Sequence, residues 1–106
     1  MIVTPASSVA GLRVVKTLGL VRGNTIRARH LGRDIMAGLK NLIGGEIEEY
    51  TKMMAEAREQ ALDRMVAEAQ SVDADAILDV QFGTSYVMAS AAEILAYGNA
   101  VKLEKI

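Results

Sequence analysis

No cysteine occurs among the 106 residues, which excludes disulfides, thiolate metal centres and a cysteine nucleophile together. Tryptophan is also absent, proline and phenylalanine occur once each, and the only imidazole is His30. One histidine without thiols leaves a subunit short of the three or four nitrogen and sulfur donors that zinc or nickel takes. No apolar run approaches about 18 residues, and the start "MIVTPASSVAG" lacks the basic region and apolar stretch of a signal peptide. A soluble cytoplasmic protein without membrane association is therefore expected. The length suits one domain, 1–106, with a single modest core.

Charge is nearly balanced overall but unevenly placed. Residues 1–45 hold seven bases and one acid, for +6, whereas residues 46–79 hold ten acids and three bases, for −7. Opposite fields of this kind suit complementary faces of a self-assembling subunit, or simple compensation within one subunit. A nucleic-acid surface built on Arg22, Arg27, Arg29 and Arg33 is the disfavoured alternative, because those bases are spread along an extended segment with no aromatic among them.

Patterning predicts the elements. Residues 12–21, "LRVVKTLGLV", read as a strand bent or bulged at Gly19 and bounded by Gly11 and by Gly23-Asn24. Ile35, Met36, Leu39, Leu42 and Ile43 fall at helical spacing, predicting a short helix over 31–43 with Asp34 at its start, closed by Gly44-Gly45. A long helix is predicted over 46–72. Its apolar stripe is Ile47, Tyr50, Met54, Ala57, Ala61, Met65 and Ala69, broadened by Met53, Leu62 and Val66. Such a helix runs to about 40 Å, against a radius of gyration near 13 Å for a globule of about 100 residues. It should overhang its own subunit and need a partner chain to cover it. "AILDVQFGTSYV" reads as a strand with a break at Gly83, and 91–103 as a strand buried on both faces, although its alanines and glutamates have helical propensity.

Several landmarks follow one another in a particular order: Leu18-Gly19 with Val21 and Gly23, Arg33-Asp34, Gly44-Gly45 with Tyr50, Ala57-Arg58 with Ala61-Leu62, Ala74-Asp75-Ala76, and a late "YGNAVKL". In this order and spacing the chain resembles the YbjQ-like family, small bacterial and archaeal proteins of unknown function sometimes labelled as heavy-metal-binding. The resemblance covers nearly the whole chain. It implies an α+β subunit in which a curved antiparallel sheet packs on a helix pair, a dodecin-like arrangement that forms a ring, with five subunits. It also points to Gly19, Arg33, Asp34, Gly44, Gly45, Tyr50, Arg58 and Asp75 as family-motif and interface candidates. The chain departs from the family pattern at Asp73 and Asp79, where glycine is usual, and at Asn99, where threonine is.

Chemistry-bearing motifs are sparse. Gly44-Gly45 could bend a phosphate-binding loop, but Glu46, Glu48 and Glu49 occupy the helix start where an anion would sit, and the P-loop lysine is missing. The pair is read as an interhelical corner. A metal site would need His30 from several subunits to converge on an axis, or the three glutamates to act as oxygen ligands. His30 with Ser85 or Ser90 has no accompanying nucleophile motif, and Arg33-Asp34 is better explained as an ion pair at a helix start. The expectation is a homo-oligomeric structural or small-ligand-holding module, without catalysis and without a cofactor. The alternatives are a metal-binding protein whose site is shared between subunits and, after it, nucleic-acid association.

Overall fold

The computed structural model describes residues 1–28, 45–88 and 91–106. The elements run β1 (Ile2–Val3), β2 (Leu12–Ala28), α1 (Gly45–Ser71), β3 (Ala76–Met88) and β4 (Ala91–Lys105). They form one four-stranded sheet in the order β1-β3-β4-β2, with α1 lying across one face. The sheet is mixed rather than wholly antiparallel: β4 pairs antiparallel with β2 and β3, but β1 runs parallel to β3. The N-terminal segment accounts for this difference. Its Thr4 N–H donates to Ile77 O and its Thr4 and Ala6 carbonyls accept from Val80 and Asp79, so it extends the sheet at one end. The short helix expected over 31–43 lies outside the described residues.

Helix α1 matches the expected long helix to within a residue at each end. Ala57, Ala61, Met65 and Ala69 are fully buried, and they pack on Val21, Ile77, Ile94, Ala96 and Ala100 of the sheet. Alanine at three of these four positions lets the helix backbone sit near the strands. Gly23 completes that approach, since a Cβ there would lie 2.7 Å from Arg64 Cβ and against the Ala61 carbonyl and Met65 amide. The glycine expected to bound the first strand is therefore its contact point with the helix, and β2 continues past it to Ala28.

Bulges place the rest. Gly19 has φ +116° at a register shift between Thr17 and Gly19, as the strand-bend reading expects, and a second shift lies between Val14 and Lys16. The break in β3 is not at Gly83, which pairs in register with Leu95. It falls between Leu78 and Gln81, where Asp79 takes φ 53°. Gly98 sits opposite this bulge, and a Cβ there would come 2.7 Å from Ile77 Cγ2 and 2.9 Å from the Leu78 carbonyl.

Helix α1 ends in a Schellman motif: Ala74 N–H bonds Ala69 O, Asp73 N–H bonds Gln70 O, and Asp73 adopts φ 60°. Thus Asp73 and Asp79, where the resemblance leads glycine to be expected, both occupy left-handed backbone, in which a Cβ is disfavoured by about 1–2 kcal/mol and aspartate is among the better tolerated non-glycine residues. Asp73→Gly is expected to raise the urea midpoint, corresponding to up to about 1 kcal/mol. The Lys102 contact it loses is to a side chain 97% exposed and adds little. Asp73→Val should lower the midpoint.

The described residues extend over 58 × 21 × 16 Å with a radius of gyration of 17.7 Å. Strands of this length set the long axis, since 17 residues of β2 at about 3.3 Å each span roughly 55 Å.

Candidate functional site

Asp75 is the candidate residue with the clearest local role. Standing between the end of α1 and the start of β3, it donates its backbone N–H to Val101 O at 2.9 Å, and its Oδ2 accepts the Leu103 N–H at 2.8 Å. Its carboxylate thus supplies a ladder acceptor to β4 where β3 has not yet begun. Lys102 Nζ lies 3.3 Å from Asp75 Oδ1 and donates to the Asp73 backbone carbonyl at 2.9 Å, so one ammonium bridges Asp75 and the C-terminal end of the helix.

The Leu103 amide and, after it, the Lys102 ammonium hold the Asp75 carboxyl below the usual carboxylate range, while Asp75 raises the Lys102 ammonium. A carboxyl depressed on folding contributes stability above its unfolded pKa and loses that contribution as pH falls through the folded value. Wild type should accordingly be more stable than Asp75→Asn at neutral pH. The gap between their urea midpoints should close on acidification below about pH 4.

The other candidates do not converge on Asp75. Gly19 faces Ala100 across the ladder on the opposite side of β4, where it shapes the strand. Arg58 is exposed on the outer side of α1, on the order of 20 Å along the helix from its end. It lines an open groove of about 540 Å³ with Lys52, Ala55, Glu56, Glu59 and Gln60, whose charges of both signs offset one another. Gly45 begins α1, and Tyr50 falls in its second turn. His30, Arg33, Asp34 and Gly44 lie outside the described residues.

A second polar arrangement, absent from the sequence reading, covers the sheet face opposite α1. Tyr97 Oη donates to Gln81 Oε1 at 2.9 Å, Asn24 Nδ2 to Glu93 Oε2 at 3.3 Å, and Asn99 Nδ2 to Asp79 Oδ2 at 3.5 Å. These pairs bridge neighbouring strands, so they became visible only with the register. The face offers a phenol, amides and carboxylates for hydrogen bonding. Among the described residues, no group of three or more histidine, cysteine, aspartate or glutamate side chains is arranged to hold a metal ion. No helix among them is long and apolar enough to cross a membrane.

The model of the YbjQ-like family, described as "Putative heavy-metal-binding", matches residues 1–104. The chain belongs to this family. It is 56% identical over 103 residues to the UPF0145 protein of Methanosarcina acetivorans, covering 97% of each chain. Identity to a UPF0145 protein of Dehalococcoides mccartyi is 57% over 104 residues, covering 98% of this chain and all of that one. The UPF0145 protein of Pseudothermotoga lettingae is 52% identical over the full 106 residues of this chain and the full length of its own. Among solved structures, a protein of unknown function of the DUF74 family from Pediococcus pentosaceus superposes with a TM-score of 0.71, covering 98% of both chains at 13% identity. At that identity the likeness shows the α+β fold alone. Family membership accounts for the order of the sequence landmarks. The geometry gives Gly19, Asp75 and the residue at 73 structural reasons to be what they are.

Proposed function

We propose that this YbjQ-like chain is a homo-oligomeric module, structural or small-ligand-holding and without catalysis, whose subunits close into a ring in the cytoplasm. A dodecin-like ring of five is what the family resemblance implies. The observation that supports assembly is the set of large apolar side chains left uncovered on an elongated body: Leu20 at 60% exposure, Ile26 at 59%, Phe82 at 45% and Tyr86 at 74%. Leu20 and Ile26 lie on one sheet face along β2, and Phe82 and Tyr86 on the other face along β3, so each edge strand carries apolar surface that association would cover. Native mass spectrometry of untagged protein tests this, with an expected mass near five times 11.4 kDa. A monomer at micromolar concentration would defeat it. Extra non-protein mass on the ring would identify a held ligand.

Metal binding between subunits is the second reading, favoured by the family's heavy-metal-binding label. One subunit has no thiol and only His30 as imidazole, which falls short of the donor set that zinc or nickel takes. Several copies of His30 converging in the ring would be required. Stoichiometric metal in the purified protein, with affinity lost in His30→Ala, would establish it. Nucleic-acid association through Arg22, Arg27, Arg29 and Arg33 has less support, because Arg27 Nε is buried. Binding that weakens steeply with salt would be needed to sustain it.

A further inference from the structure

We propose that the subunits join by strand addition, with the free edge of β2 in one copy pairing with residues 81–86 of β3 in the next. This interface rests on the homo-oligomer reading. The β1 strand covers β3 only at Ala76 and Ile77, and the hydrogen bonds of the N-terminal segment end at Val80. From Gln81 onward, no strand among the described residues lies along that side of β3. Exposed edges in native proteins carry charges, proline or bulges that prevent pairing. Residues 81–86, "QFGTSY", contain no charge and no proline, hold uninterrupted register with β4, and expose Phe82 and Tyr86.

Among the described residues, the sheet's other edge is β2. Its first half carries both register shifts, which disfavour pairing there, whereas residues 19–28 run in unbroken register with β4. Each subunit therefore offers one regular segment on either edge, long enough to match. Three pairings are conceivable, and two are disfavoured. Joining two β2 edges would bring together strands that each carry Arg13, Lys16, Arg22 and Arg27 and no acid. Joining two β3 edges would leave both β2 edges open. Only the β2-to-β3 contact uses both edges in every subunit. It is also heterologous, which generates a ring when the rotation closes. The basic strand then approaches a neighbour whose α1 carries seven acids against three bases.

A cysteine-free chain makes the test direct. Ser85 and Ile26 both stand opposite Glu93 in the ladders and so share one sheet face. Ser85→Cys is refolded together with, in turn, Leu20→Cys, Arg22→Cys, Asn24→Cys and Ile26→Cys, then oxidised. A mixed disulfide is expected with at least one of the four. Tyr86→Lys, at a site exposed in the single chain, should reduce the native mass to that of the monomer while the circular dichroism spectrum is unchanged. If the protein assembles but gives only Ser85→Cys homodimers, or no mixed disulfide with Tyr86→Lys still assembled, this interface is wrong and the oligomer reading stands. A monomeric wild type overturns both.

Discussion

Replacing Gly23 with alanine is expected to destabilise the fold by about 3 kcal/mol or more, which for a domain of this size lowers Tm by roughly 10–20 °C. Overpacking is often relieved when a flexible side chain rotates away. Here the atoms in the path of the new Cβ are the Ala61 carbonyl, the Met65 amide and Arg64 Cβ, so relief requires lifting α1 off the sheet. Lifting it would open the packing of Ala57, Ala61, Met65 and Ala69 together, because all four lie on that face. Gly83→Ala is the matched control. Nothing lies within 4 Å of a Cβ at Gly83 and its backbone is not left-handed, so thermal unfolding should be unchanged or slightly improved. Equal losses in the two variants would mean that strand propensity, and not helix approach, governs Gly23.

Met65→Ala is expected to cost about 4 kcal/mol, towards the upper end of the range of roughly 2–5 kcal/mol for such truncations. Met65 is fully buried and is among the largest such side chains, in a face otherwise made of alanines. The loss depends on how far the surroundings collapse into the space left behind. Collapse is blocked here because the helix backbone already rests on Gly23 and cannot move closer. Met65→Leu keeps most of the volume and should lose less than about 1.5 kcal/mol. Urea denaturation of the three proteins measures the difference, and a Met65→Ala loss near 1 kcal/mol would show that the helix can still settle.

The long helix and the three long strands were legible in the sequence because each extends over several turns or alternations, enough for periodicity to overcome local ambiguity. Strand 91–103 was the hardest of these, as its alanines and glutamate favour a helix. It forms β4 because it lies at the centre of the sheet, paired on both sides, which outweighs intrinsic propensity. Boundaries drawn at glycine were less secure. Gly19 does mark a bulge, but Gly23 and Gly83 lie within continuous strands, and the bulge in β3 falls on Asp79 instead. Glycine in a sequence signals only that a side chain is unwanted or that backbone freedom is used. Whether the reason is a turn, a bulge or a neighbouring helix is a fact about the neighbour.

The candidate site followed the same division. Asp75, Tyr97, Lys102 and Leu103 all fall within the family landmarks, but that Asp75 bonds Lys102 and Leu103, and Tyr97 bonds Gln81, could not be read from them, since the partners lie 16 to 28 residues apart along the chain. The parallel β1 strand was equally invisible, because two residues carry no periodicity and are fixed only by hydrogen bonds to β3. By itself the sequence determined the α+β class, the family, the buried face of the helix and the exclusion of cysteine chemistry. These rest on residue identity and on patterns within one segment. Only the tertiary structure decided the sheet order, the mixed pairing, the contact at Gly23 and which strand edges lack a strand partner among the described residues, because each depends on which distant segments share a hydrogen-bond ladder.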